Sequence, residues 1–265
     1  MIVRKSEAEL EGMARAGALL VETLALVAEH LEPGVEMLEL DRIADEYIAS
    51  KGGYPTSKGY KGFPNALCIS PNSMVVHGIP TAYRAQEGDL ISLDLGVTLD
   101  GLVADSAVTL PVGEISPEAQ RLLDVCREAL GAGIDQARVG SRVSDISHAI
   151  QTVVEGAGFS VVRELVGHGV GREYHEAPQI YNYGRPGRGP LLQEGMTLAI
   201  EPMITAGEPG IYVHDDRWSV SSLDGSLAAH FEHTVAVTAE GPRILTMPGE
   251  SAAKPPIPSG QIAAP

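Results

Sequence analysis

The chain has 265 residues, 44% hydrophobic and 20% charged, a composition that favours a folded globular protein over a disordered one. Its formal net charge of −16 and its lack of Lys and Arg clusters argue against nucleic acid as a partner. The amino terminus has no apolar signal core, and no apolar run approaches the roughly 18 residues of a membrane span. We therefore expect a cytoplasmic protein with no membrane partner. Cys68 and Cys126 are too few for a disulfide framework and are predicted to be reduced thiols.

Four helices are indicated by their end signals. Ser6 and Glu9 form a capping box at the start of the first, and Ser116 before Pro117 marks the start of the third. Strand-rich stretches follow each pair of helices. The predicted helices cover residues 7–31, residues 38–51, a segment beginning at Pro117, and residues 144–155.

The order of two helices followed by strands occurs twice, which suggests an internal duplication. Asp94 and Glu201 hold equivalent positions, and a pseudo-twofold sheet would bring them together at its centre. A few matched glycines also occur by chance in α/β chains, so the spacing alone leaves the duplication open. The matched landmarks are Gly34 with Gly140 (140 − 34 = 106), Gly53 with Gly158 (158 − 53 = 105) and Glu87-Gly88 with Glu194-Gly195 (194 − 87 = 107). A single domain is expected over residues 1–247, followed by a disordered tail rich in proline and alanine over residues 248–265.

Residues 90–110 predict a β-hairpin around the turn Asp100-Gly101. Because side chains alternate along a strand, Asp94 and Asp105 would then share one face as diagonal neighbours, about 7 to 8 Å apart at the backbone. On a partly buried face a bound cation would relieve their repulsion, whereas on an exposed face both would simply be solvated.

Further candidates for metal binding lie downstream. His168 and His175 occur in a glycine-rich stretch, GHGVGREYHEAP, which reads as a loop or strand end and not as an HExxH helix. Glu201 and Glu232 occur in or at the head of apolar strands, where a carboxylate must be paired or bound to metal. Four carboxylates and one imidazole suit two divalent ions, with Mn²⁺, Fe²⁺ or Co²⁺ favoured and Zn²⁺ possible.

In order along the chain, the motifs DLGVTLDGLVAD, GHGVGREYHEAP, TLAIEPM and HFEHT closely resemble the metal-binding signature of the methionine aminopeptidases. The resemblance extends to residues 59–80 and in total covers about residues 3–247. It implies the duplicated α/β (α+β) "pita-bread" fold and the short type I form of the family. It also implies removal of the initiator methionine from nascent polypeptides by a monomer, with a water or hydroxide between two metal ions as nucleophile.

The same resemblance assigns roles residue by residue. The implied metal ligands are Asp94, Asp105, His168, Glu201 and Glu232, with Asp105 and Glu232 bridging the two ions. The implied catalytic residues are Glu201 as proton shuttle, His175 and His77, the two histidines also contacting substrate. The remaining implied walls of the methionine pocket are Tyr60, Phe63, Cys68, Tyr174 and Trp218. Phe63 departs from the pattern, because tyrosine is frequent there in the family.

Two alternatives to this function are kept. Aminopeptidase P and prolidase share the catalytic domain but usually carry an additional amino-terminal domain. A relative without metal could bind peptides without cleaving them, although such relatives usually lose ligands and none of the five is substituted here.

Overall fold

The computed structural model describes residues 2–248, so the predicted tail lies outside the described residues except for Pro248. The helices are α1 (Glu7–Glu29), α2 (Met37–Ser50), α3 (Pro117–Asp135) and α4 (Val143–Gly156). The strands of the first half are β1 (Tyr54–Pro55), β2 (Cys68–Pro71), β3 (Met74–Val76), β4 (Leu90–Leu99) and β5 (Leu102–Pro111). The later strands are β6 (Ser160–Val161), β7 (Val166–Gly169), β8 (Glu176–Tyr181), β9 (Thr197–Ile200), β10 (Met203–Thr205), β11 (Ile211–Val213), β12 (Val220–Ser222), β13 (Ala228–His230), β14 (His233–Thr238) and β15 (Gly241–Ile244).

The helix starts follow the predicted capping residues. At the start of α1 the backbone N–H of Ser6 donates to Glu9 Oε2 at 2.8 Å, and the N–H of Glu9 donates to Ser6 Oγ at 3.4 Å. At the start of α3 the N–H of Ala119 donates to Ser116 Oγ at 3.1 Å. These bonds pair backbone donors that have no partner inside the helix. The structure thus confirms the four helices, although α1 ends at Glu29, two residues before the predicted end.

Antiparallel strands form the central layer. One sheet has the order β1-β4-β2, with β5 paired to β4, and a five-stranded sheet has the order β15-β14-β9-β7-β8. Two three-stranded sheets, β13-β10-β6 and β11-β12-β3, complete the strands of the described residues. α1 packs on β4 and β5, whereas α3 and α4 pack on each other and on strands of the second half.

The two halves repeat each other in structure. α2 and α4 both have 14 residues. Pro55 pairs with Val97 in the first half as Val161 pairs with Ile204 in the second. The structure corrects one predicted landmark, because the equivalent of Gly158 is Gly52 and not Gly53. Both residues follow a helix with positive φ, 77° at Gly52 and 84° at Gly158, the left-handed conformation that ends many helices at glycine.

The main hydrophobic core fills the space between the helices and the sheets. Large aliphatic side chains from both halves contribute to it and are almost completely buried. The core fixes the strands that carry the acidic residues described below. Within residues 2–248, no helix has the length and apolar composition needed to cross a membrane.

Candidate metal centre

The β4-β5 hairpin has the predicted register. Leu99 pairs with Leu102 across the Asp100-Gly101 turn, and Gly96 therefore pairs with Asp105. Asp94 pairs with Ala107, which places both aspartates on one face of the hairpin. Their side chains are buried, so the alternative of two solvated aspartates is wrong.

Reciprocal hydrogen bonds join β5 to the segment that carries Glu232. Thr234 Oγ1 accepts the N–H of Asp105 at 2.9 Å and donates to its carbonyl at 2.8 Å. Thr109 Oγ1 accepts the N–H of His230 at 2.8 Å and donates to its carbonyl at 2.9 Å. The two exchanges fix the backbones from which Asp105, His230 and Glu232 project.

His168 is held at the end of β7, where glycines permit close packing of the strands. A Cβ at Gly167 would collide with the carbonyl oxygen of Ala199, and one at Gly169 with the carbonyl oxygen of Ala177. The Nδ1 atom of His168 lies 2.9 Å from the carbonyl oxygen of Gly169, so the tautomer with hydrogen on Nδ1 leaves the Nε2 lone pair free. Such a bond at the second ring nitrogen is typical of histidines that bind metal.

The carboxylates of Glu201 and Glu232 lie close to His168. Glu201 directly follows β9 and Glu232 directly precedes β14, slightly outside the strands in which they were predicted. His168 Nε2 lies 3.6 Å from Asp105 Oδ2 and 3.4 Å from Glu201 Oε1. One ligand atom each from Asp105, His168 and Glu232 lies within 4.8 Å of the others. These separations are too long for hydrogen bonds but allow the atoms to surround a cation.

The electrostatics of the carboxylates also favour the binding of a cation. Burial raises the pKa of Asp94 to about 7. Burial and the nearby carboxylate charges raise the pKa values of Asp105, Glu201 and Glu232 well above their usual range. Asp105 Oδ1 and Glu232 Oε1 are buried and have no hydrogen-bond partner among the described residues. The donor set therefore fits divalent metal ions, which would neutralise this charge and use these oxygens.

The histidines around the carboxylates are kept neutral. Burial lowers the pKa of His168 and of His77 to about 4, and burial together with the charge of His168 lowers the pKa of His175 to about 3. Neutral imidazoles can serve as metal ligands or as hydrogen-bond donors near neutral pH. His77 also has a positive φ of 57°, a backbone conformation that is rare outside glycine and often occurs at functional sites.

Aromatic side chains form two groups beside the carboxylates. The ring of Tyr60 stacks on His175 at 5.2 Å and meets Tyr174 edge-on at 5.1 Å. The ring of Phe63 meets Trp218 edge-on at 5.2 Å, and His77 lies 6.2 Å from Trp218. Cys68, the last predicted wall residue, pairs with Asp94 across β2 and β4. Burial, followed by the charges of Asp94 and Asp105, raises the pKa of the Cys68 thiol, which keeps it protonated.

A buried ion pair supports the loop that carries His175. Lys5 Nζ lies 2.5 Å from Glu176 Oε2, and both side chains are at most 7% exposed. Glu176 Oε1 accepts the backbone N–H groups of Arg172 and Glu173 at 2.7 and 3.1 Å. Because Lys5 and Glu176 lie 171 positions apart, no local sequence signal reveals their ion pair.

His230 lies inside the cluster but was not predicted as a site residue. Its Nε2 atom lies 3.8 Å from Glu201 Oε2 and 3.9 Å from Glu232 Oε2. A weak signal was available in the sequence HFEHT, since residues two apart on an extended segment face the same side.

Comparisons with known proteins define the class. Residues 11–239 match metallopeptidase family M24, so the chain belongs to that family. A methionine aminopeptidase from Clostridium perfringens (strain 13 / Type A) is 50% identical over 247 residues, which are 93% of this chain and 99% of that protein. The crystal structure of methionine aminopeptidase from Rickettsia prowazekii superposes with a TM-score of 0.92 at 40% identity, covering 93% of this chain and 100% of that one. Within family M24, the chain belongs to the methionine aminopeptidases, and its mixed helices and antiparallel sheets are the pita-bread fold.

A prolidase shares the fold at greater distance. Prolidase from Pyrococcus furiosus superposes with a TM-score of 0.77 at 21% identity, covering 94% of this chain but 66% of that one. This likeness shows the common fold alone. The identities therefore favour the methionine aminopeptidases over the prolidase alternative.

Proposed function

We propose that the protein removes the amino-terminal methionine from nascent polypeptides in the cytoplasm, as a monomer that uses two divalent metal ions. The observation that carries this proposal is the convergence of Asp105, His168 and Glu232 on one point, with Glu201 beside His168, in a member of family M24. The names of its relatives supply the methionine specificity. The net charge of −16 argues against nucleic acid as a partner.

The proposed ligands are Asp94, Asp105, His168, Glu201 and Glu232, with Asp105 and Glu232 shared between the ions. Support comes from the unpaired buried oxygens of the two shared residues and from the free Nε2 atom of His168. Oxygen-rich donors with one imidazole favour Mn²⁺, Fe²⁺ or Co²⁺ and also accept Zn²⁺. When bound, such ions polarise a peptide carbonyl and lower the pKa of water.

Two side chains of the protein are proposed to transfer the proton and to stabilise the oxyanion. Glu201 is proposed to accept a proton from the attacking water and pass it to the leaving amine, a role supported by its position 3.4 Å from His168 Nε2 among the proposed ligands. His175 is proposed to donate a hydrogen bond to the developing oxyanion. Its ring is held between Tyr60 and His168, whose ring centroids lie 5.2 and 4.0 Å away.

Substrate recognition is proposed to use the aromatic groups. A thioether packs well against aromatic rings and a neutral thiol, which Tyr60, Phe63, Tyr174, Trp218 and Cys68 offer. Phe63 gives the wall an apolar ring without a hydroxyl. His77 is proposed to contact the second residue of the substrate, supported by its contact with Trp218.

A pair of peptides tests the function. Purified protein supplied with Mn²⁺ or Co²⁺ is incubated with Met-Ala-Ser and with a peptide that begins X-Pro, and free amino acids are measured. Release of methionine without cleavage of the X-Pro peptide is expected. Cleavage of X-Pro alone would favour an aminopeptidase P activity, and cleavage of neither would favour the relative that only binds peptides.

A further inference from the structure

His230 is a buried histidine whose two ring nitrogens both lack a hydrogen-bond partner among the described residues. Its side chain is only 2% exposed, so bulk solvent does not reach the ring. A neutral imidazole still carries one N–H group, and leaving a buried donor unpaired is costly. Two carboxylate oxygens lie near Nε2, Glu201 Oε2 at 3.8 Å and Glu232 Oε2 at 3.9 Å.

The internal duplication gives His230 the position that corresponds to Asp105. Gly96 pairs with Asp105 in the first half as Met203 pairs with His230 in the second. The threonine hydrogen bonds show the same correspondence. The hydroxyl of Thr234 bonds both backbone groups of Asp105, and the hydroxyl of Thr109 bonds both backbone groups of His230. The second half of the fold thus has the imidazole of His230 at the position where the first half has the carboxylate of Asp105.

The second ring nitrogen distinguishes His230 from His168. His168 Nδ1 has the carbonyl of Gly169 as its partner, which frees Nε2 to bind a cation. His230 Nδ1 has no such partner among the described residues, so a tautomer with hydrogen on Nδ1 would bury an unpaired donor. The tautomer with hydrogen on Nε2 directs that donor toward the two glutamates. His230 therefore suits donation to the carboxylates better than direct ligation.

We propose that His230 is a positioning residue that donates its Nε2 hydrogen to the carboxylates of Glu201 and Glu232 and orients both toward the metal ions. The inference rests on the proposed function, because it assumes that Glu201 and Glu232 bind metal ions. Its test measures metal affinity and does not depend on peptide cleavage. The present separations exceed the usual N–H···O range by roughly 0.6 Å, so a small rotation of either carboxylate closes the bond. A residue of this kind raises metal affinity without contacting the ions.

The test measures Mn²⁺ binding by titration calorimetry on full-length protein stripped of metal. His230→Leu removes the donor at similar volume, and we expect it to bind as many ions as the wild type but about 10 to 100 times more weakly. His230→Gln retains an N–H donor and should recover most of the affinity. His233→Gln is the matched control, because His233 is a partly buried histidine near the same carboxylates in sequence but bonds Thr246 Oγ1 at 2.8 Å. Its Mn²⁺ affinity should match that of the wild type.

Two results would overturn the assignment. Unchanged affinity in His230→Leu would show that the donor does not orient the glutamates. Loss of one ion in both His230 variants, without recovery in His230→Gln, would make His230 a direct ligand. Thermal unfolding confirms that each variant is folded before titration. A wild type that binds Mn²⁺ as expected but does not cleave Met-Ala-Ser would refute the proposed function and leave the His230 test intact.

Discussion

Thr234 and Asp105 are joined by two hydrogen bonds through one side-chain oxygen, although they lie 129 residues apart. Thr234 Oγ1 both accepts the N–H of Asp105 and donates to its carbonyl. This exchange sets the backbone of a proposed metal ligand from the opposite half of the duplicated fold. Removing the hydroxyl would leave two buried backbone groups without partners.

Thr234→Val should therefore destabilise the protein. Each buried group left without a partner costs about 1–3 kcal/mol, and valine keeps the shape of threonine without its hydroxyl. Urea unfolding of metal-free protein measures the free energy of unfolding. Thr234→Ser keeps the hydroxyl and should lose much less. Equal stability of the valine variant and the wild type would show that the exchange contributes nothing.

Gly96→Ala should distort the substrate side of the site. A Cβ at Gly96 would lie 2.7 Å from the ring of Tyr174, whose neighbour His175 is a proposed catalytic residue. Overpacking of this kind costs about 1–3 kcal/mol, and displacement of Tyr174 should lower kcat/KM for Met-Ala-Ser. Gly131→Ala is the control, because the new methyl meets no atom within 4 Å and lies in α3. If both variants match the wild type in stability and kcat/KM, the close packing of Gly96 against Tyr174 is not needed for folding or for catalysis.

The buried carboxylates should lower the stability of the metal-free protein as pH rises above their unfolded-state pKa values of about 4. Burial raises the pKa values of Asp105, Glu201 and Glu232 well above their usual range, so the folded state retains protons that the unfolded state has lost. Stability from such groups is complete at low pH and is lost as pH rises through the folded-state pKa, by up to about 1.4 kcal/mol per pH unit for each proton. The buried histidines, whose folded-state pKa values are lowered, act in the opposite direction while their unfolded forms lose protons around pH 6.5, so the carboxylate contribution is measured as the difference between the wild type and Asp105→Asn.

Unfolding experiments with EDTA and with Mn²⁺ measure this dependence. Mn²⁺ should remove the carboxylate contribution, because bound ions stabilise the ionised carboxylates, and metal-free Asp105→Asn should lose less stability with rising pH than the metal-free wild type. A metal-free Asp105→Asn variant that loses as much stability with rising pH as the wild type would contradict the expected direction.

His175→Ala should lower kcat for Met-Ala-Ser by about 10²- to 10³-fold, the usual loss for one oxyanion donor. Metal content should not change, because His175 is not among the proposed ligands. Single-turnover and steady-state rates at saturating Mn²⁺ provide the measurement. A kcat equal to that of the wild type would remove His175 from the oxyanion role.

Local patterns in the sequence predicted a large part of this arrangement. The turn Asp100-Gly101 fixed the hairpin register, which aligned Asp94 and Asp105 on one face, and the capping residues located the helix starts. Turn and capping residues lie within a few residues of the hairpin or helix end that they determine. Local patterns also marked Glu201, Glu232 and the histidines as candidates, whereas the resemblance to the methionine aminopeptidases selected His168 as the proposed ligand and implied the shared ligands.

Contacts across the pseudo-twofold could not be predicted. The bonds of Thr109 and Thr234 join residues more than 120 positions apart, and a buried threonine in a strand has no pattern that identifies its partner. His230 was missed for the same reason, because its importance depends on lying beside Glu201 in the folded chain. The glycine offset was wrong by one residue because Gly52 and Gly53 are adjacent and only φ distinguishes them.

Metal analysis of Asp105→Ala tests the central claim most directly. Wild-type protein and the variant are loaded with Mn²⁺, desalted and analysed for metal per chain. We expect two ions in the wild type, and fewer in the variant together with loss of activity on Met-Ala-Ser, because Asp105 is proposed to ligate both ions. Two tightly bound ions in a folded Asp105→Ala variant, or none in the wild type, would contradict the proposed metal centre.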